Sequence, residues 1–154
     1  MTEALAKGNR FLDPLCALIE FSLSDASLQS VMARAVDMAV STFKVPLAKI
    51  LRFSDTADHL ELAVGRGWEP GLVGSTKVGI DHESQAGYTL RAAEPVIVRD
   101  LRAETRFSGP ELLRRHGVRA GASVVIPGEG MRPFGVLGIH DRKVRDFSGE
   151  EVAL

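Results

Sequence analysis

The sequence predicts an α+β domain, an antiparallel sheet with long helices on one face and an irregular cover on the other. Three observations carry that expectation. Apolar residues recur at i, i+3, i+4 and i+7 from Leu28 to Phe43, the spacing of an amphipathic helix. Short apolar runs bounded by turn residues follow, and two pairs of them are close enough to be hairpins. The last two runs, "SVVI" and "FGVLGI", do not alternate between apolar and polar, which marks strands covered on both faces.

Each element has its own signature. Asp13-Pro14 places an N-cap before a proline at N1, where the missing N–H costs nothing. The helix it starts carries Leu15, Cys16, Leu18, Ile19, Phe21 and Leu23, an apolar face too wide for packing on one side. That face is either buried against the domain's own body or shared with a second subunit. In the next helix Leu28, Val31, Met32, Ala35, Val36, Ala39, Val40 and Phe43 form the buried stripe. Gln29, Arg34, Asp37 and Ser41 take the wet face, Ser27 or Asp25 caps the start, and Pro46 ends it. Met32 and Met38 read as core filler.

The period then changes. "LAKILRFS" (47–54) and "HLELAVG" (59–65) read as strands joined by the turn Asp55-Thr56-Ala57-Asp58. "EPVIVRD" (94–100) is a third strand, and "GASVVIPG" (121–128) with "RPFGVLGIH" (132–140) makes a second hairpin across Glu129-Gly130-Met131. Residues 66–120 form the cover, with a helix near "SQAGYTLRA" (84–92) and another at "ELLRRH". Ser108 and Glu111 give that second helix a capping box, and Gly117 is its C′ residue. After "HDRKVRD", Ser148-Gly149-Glu150-Glu151 is a further capping box, announcing a helix that the sequence leaves within its first turn.

Composition narrows the class. The 154 residues fit one domain, 45% apolar and 25% charged, as in an ordinary globular protein. A net charge of −1 gives no sign of a nucleic-acid or anionic-membrane partner. "MTEALAKGNR" lacks a signal peptide's apolar core, no run approaches a membrane span, and the single Cys16 forms no internal disulfide. A cytoplasmic location is expected.

Taken together, "EPVIVRDLRAETRF", "HGVRAGASVVI" and "FGVLGIH…FSGEEVAL", in the order helix, helix, hairpin, short helix, resemble a bacterial GAF domain, a PAS-related fold. The sequence is most similar to those of sensor histidine kinases and cyclic-di-nucleotide signalling enzymes, most strongly over 84–154. The resemblance implies a pocket of ligand size beneath the cover. It implies a linker or dimer helix at 1–26 and a GAF domain at 27–154, truncated in its C-terminal helix. A homodimer through the terminal helices and an output domain in a longer parent chain are further implications.

Most chemistries find no support. Methionine-sulfoxide reduction, known in one GAF subfamily, needs an attacking thiolate and a resolving thiol, and Cys16 stands alone on an apolar helix. His59, His82, His116 and His140 show no metal-ligand spacing and have cheap structural roles, so neither a metal nor a cofactor is expected. The bilin and cyclic-nucleotide signatures of the family are missing. The expected site is therefore non-catalytic, for an unidentified small molecule, at Trp68, Tyr88, Arg106, Phe107 and Ser123. The aromatics either line a pocket or plug a packed core, which would leave a ligand-free dimerising spacer. The arginines between 99 and 119 are either a solvated face or partners for an anion, with Arg106 preferred because it adjoins Phe107 in "ETRFSG".

Overall fold

The computed structural model describes residues 27–54, 58–80, 85–92, 94–107, 111–128 and 133–147. The helix expected at 13–23 with Cys16, His82, Ser108 and the capping box at Ser148–Glu151 lie outside the described residues.

Helix α1 (Leu28–Phe43) starts at Ser27, whose side chain accepts from the N–H of Ser30, and closes on Lys44 in the left-handed conformation. Its stripe buries Met32, Val36 and Ala39 against Ala48, Ile50, Val64 and Ile139 of the sheet. Two polar ties fix its position along the sheet: Gln29 Nε2 donates to the carbonyl of Ala63 (3.2 Å), and Asp37 pairs with Arg66 (2.7 Å).

Six strands follow: β1 (Leu47–Phe53), β2 (Leu60–Arg66), β3 (Lys77–Val78), β4 (Val96–Val98), β5 (Ala120–Pro127) and β6 (Pro133–Asp141). Their order in the sheet is β3-β2-β1-β6-β5-β4, and every pairing is antiparallel. Both expected hairpins form. The two-residue strand β3 has no signature of its own; it pairs only Leu60 and Glu61 at the edge. β1 is buried on both faces from Leu47 to Leu51. Coverage thins toward β5, because α1 packs over β1 and β2, and Val124 on the α1 side is 37% exposed.

Two short helices lie on the opposite face, α2 (Gln85–Arg91) and α3 (Glu111–Arg115). α3 ends in a Schellman motif: Val118 N–H donates to Leu113 C=O, Gly117 N–H donates to Arg114 C=O, and Gly117 has φ +71°. Val118 then packs on buried Leu113 and Leu47. Between β4 and α3, Asp100 caps a 3₁₀ turn (Leu101–Ala103) by accepting from Arg102 N–H, and holds Arg119 in a two-point ion pair. Asp100 thereby fixes the loop after β4.

Gly117→Ala places a Cβ in the left-handed region and is expected to lower stability by about 1 kcal/mol in urea unfolding. An unchanged midpoint would show that this cap does not hold α3.

Candidate functional site

Antiparallel pairing sets directly opposed side chains on the same face. On the face away from α1, one register row therefore crosses five strands: Gly65, Lys49, Gly138, Ser123 and Val96. The next row sets Leu47, His140 and Gly121 side by side. Lys49 thus has glycine on both flanks, and rings occupy the space left. A Cβ at Gly65 would lie 2.5 Å from Cδ1 of Trp68. One at Gly138 would lie 2.9 Å from Nε2 of His140, and one at Gly121 would lie 2.6 Å from Nδ1.

Lys49 is only 5% exposed. Its ammonium sits 5.2 Å from the centre of the Trp68 ring, and among the described residues it meets no counter-ion. Burial lowers its pKa from 10.5 to about 7. His140 is 1% exposed, and neither ring nitrogen meets a hydrogen-bond partner among the described residues. Burial, and then the charge of Lys49, push its pKa well below the ordinary histidine value. Unpaired buried polar groups of this kind cost stability and need an explanation.

Trp68 is fixed as the wall between them. Its indole N–H donates to Ala48 C=O (2.9 Å), and its ring meets those of His116 and His140 edge-on at 4.9 and 5.9 Å. His116 differs from His140 in being satisfied. Its Nδ1 bonds Leu112 C=O (2.8 Å) and its Nε2 accepts from Glu69 N–H (3.0 Å), which puts the hydrogen on Nδ1. It therefore serves as a brace between α3 and the loop at Glu69.

The lid closes the row. Gln85 Nε2 donates to Ser123 Oγ (3.2 Å), Ser123 and Thr89 hydroxyls share a bond of 2.7 Å, and Thr89 donates to the carbonyl of Gln85 (2.7 Å). Thr89 has only one hydroxyl hydrogen, so Ser123 donates to it, and the three residues form a closed ring tying α2 to β5. A small cavity of about 10 Å³ remains, room for about one water, lined by Lys49, His140, Ser123 and Gln85 with Leu51, Val136 and Leu112.

Of the residues expected from sequence, Trp68 and Ser123 come to this row. Tyr88, Arg106 and Phe107 gather instead beside β4, where Phe107 packs on Val96 and Val98 and the two aromatic rings lie 5.3 Å apart. Arg106 stacks on both rings, grips Glu104 with two bonds (2.8 and 2.7 Å) and donates to Ile97 C=O. That pairing, chiefly the Arg106 side-chain bond, holds the Glu104 carboxyl well below the usual range. Sequence reasoning missed Lys49, Gln85, Thr89 and the role of His140. One signal was available: Lys49 shares strand parity with Leu47 and Leu51 in a run read as a strand. Among the described residues no group of three or more His, Cys, Asp or Glu could hold a metal.

A GAF domain family model matches residues 27–154. The GAF domain of a Coxiella burnetii phosphoenolpyruvate-protein phosphotransferase superposes with a TM-score of 0.82 at 17% identity, covering 96% of this chain and 86% of that one. A domain of a putative two-component sensor histidine kinase from Sinorhizobium meliloti gives 0.65 at 19% identity, covering 84% and 83%. Free methionine-R-sulfoxide reductase from Neisseria meningitidis, in complex with its substrate, gives 0.70 at 18% identity, covering 88% and 75%. At these identities the likeness is one of fold. None of the curated protein sequences compared matches the chain.

Lys49 carries a stability prediction whose sign follows from proton counting. The unfolded lysine keeps its proton to near 10.5 and the folded one releases it near 7, so between these values the unfolded state binds more protons and stability rises with pH. Lys49→Met removes the buried ammonium and is expected to raise the melting temperature at neutral pH. The gap to wild type should close toward pH 10 in paired thermal melts; a destabilised variant, or a constant gap, would contradict the burial argument.

Proposed function

The chain belongs to the GAF family through residues 27–154, and from that premise we propose that it is a small-molecule-sensing domain of a larger bacterial signal-transduction protein, acting in the cytoplasm. GAF domains are generally regulatory or sensory modules of signalling proteins, and a sensor-kinase domain is among the structures this fold resembles. The observation that carries the reading is the buried Lys49–His140 pair, two polar groups that meet no hydrogen-bond partner or counter-ion among the described residues, on a face closed by a lid.

Coupling to output would run through β1. Lys49 and Leu51 face the site, while Ala48 and Ile50, alternating with them, lie under α1. A ligand that shifts β1 or the lid acts on helix packing from the other side of the same strand, and can bias it only by binding two arrangements unequally. The helices so moved would meet a second copy in a dimer. The domain would not be catalytic: reduction of a sulfoxide by the thiol route needs two thiols, and the sequence has one cysteine. No helix among the described residues is long and apolar enough to cross a membrane.

One observation favours a second reading, a ligand-free dimerising spacer. The cavity of about 10 Å³ holds no more than a water unless the lid moves.

Native mass spectrometry of the purified protein, set against its denatured mass, separates the two. A dimer with extra non-covalent mass is expected for the sensor. A bare dimer at the sequence mass, with Trp68 fluorescence unmoved by a metabolite panel, would favour the spacer; Trp68 is the sole tryptophan.

A further inference from the structure

We propose that the row of Lys49 and His140 takes a small monocarboxylate, its oxygens between the lysine ammonium and an imidazole N–H, its short apolar end toward Leu51, Leu112 and Val136. The proposal rests on reading this row as a ligand site and names the ligand's class.

Charge is the first argument. Among the described residues, the groups facing Lys49 are His140 from β6, Trp68 with His116 behind it, Ser123 from β5, and Gln85 and Thr89 from α2. None of them carries a negative charge, so an anion entering the cavity supplies the counter-charge that these residues do not. One cation matches one anionic charge. A second would lie unpaired against an apolar lining, where burial of charge is costly.

Donor count is the second. Ser123, Thr89 and one N–H of Gln85 donate within their closed ring, and His116 is satisfied at both nitrogens. What remains is the Lys49 ammonium and the two ring nitrogens of His140, one a donor and one an acceptor in the neutral imidazole. A carboxylate offers only acceptors, two oxygens about 2.2 Å apart, and charge-assisted bonds to it are the strong ones. A neutral amide brings no charge to offset the buried ammonium.

Size and proton linkage complete the case. The cavity of about 10 Å³ admits one water as it stands, so the acid enters only when the α2–α3 lid moves outward, and the Leu112 and Leu113 wall on the α3 side keeps the acceptable tail short and apolar. The anion binds the protonated lysine, so affinity holds below about pH 7 and falls as Lys49 loses its proton above it.

Isothermal titration calorimetry with acetate, propionate and butyrate tests this, against acetamide, propionamide and sodium chloride at matched ionic strength. Saturable binding of at least one carboxylate is expected, weakening about twentyfold from pH 6.5 to pH 8.5. Lys49→Met, which keeps the packing of the stem, should lose that binding at least tenfold, on the order expected for a charge-assisted pair. His140→Gln should weaken it less. Circular dichroism of each variant confirms that it is folded. Amides or chloride binding as tightly, pH-independent binding, or full affinity in Lys49→Met would each overturn the proposal. So would no carboxylate binding at all. If native mass spectrometry still shows added mass in that case, only the ligand class is wrong; if the protein is bare there too, the ligand-site reading falls with it.

Discussion

Two-sided burial of β1 is the constraint on which the rest of the structure depends. A central strand with a helix on one face and a lid on the other has no solvent direction left, so each of its side chains must be accommodated by packing. Ala48 and Ile50 do this simply, as small and branched residues beneath α1. Leu47 and Leu51 do the same beneath the cover. Lys49 does not. The charge of this one residue is held inside by its strand position, and its neighbours are chosen around it: an aromatic wall, flanking glycines and no acid among the described residues.

The contrast with the β4 edge shows what an ordinary solution looks like. Arg106 there has a carboxylate, a backbone carbonyl and two ring faces, and its charge is spent on holding Glu104, Ile97, Tyr88 and Phe107 together. With 38% of its side chain exposed, it is a surface brace. Lys49 has only the ring face of Trp68 and, among the described residues, neither a carboxylate nor a carbonyl partner, though it is far more buried. A fully satisfied arginine at the edge and an unsatisfied lysine at the centre are why the functional reading rests on the second.

Much of the fold was legible from residues alone, because its signals are local. Ser27 with the stripe from Met32 to Ala39 defines α1, and Gly117 after "ELLRRH" announces the cap that forms. The non-alternating "FGVLGI" predicts a strand buried on both faces, and β6 is largely so. What stayed hidden depends on distant partners. β3 is a strand only because Leu60 and Glu61 offer it an edge. Lys49 looks like a solvated residue until β2, β6 and the lid surround it. The ring from Gln85 through Ser123 to Thr89 joins positions 38 and 34 residues apart, which no spacing rule connects.

The glycines of the row have a consequence for how chains of this kind can diverge. Gly65 leaves room for the indole of Trp68 and Gly138 for the imidazole of His140, while a Cβ at Gly121 would meet both that imidazole and the carbonyl of Ile139 (2.7 Å). Neither ring tolerates a β-carbon where it sits. Gly138 and His140 therefore form a linked set that substitutes jointly, so a relative that replaces His140 with a small residue is free to carry a side chain at 138, while 121 stays glycine against the Ile139 carbonyl. The lineage of the site would be written in such paired exchanges more clearly than in any single residue.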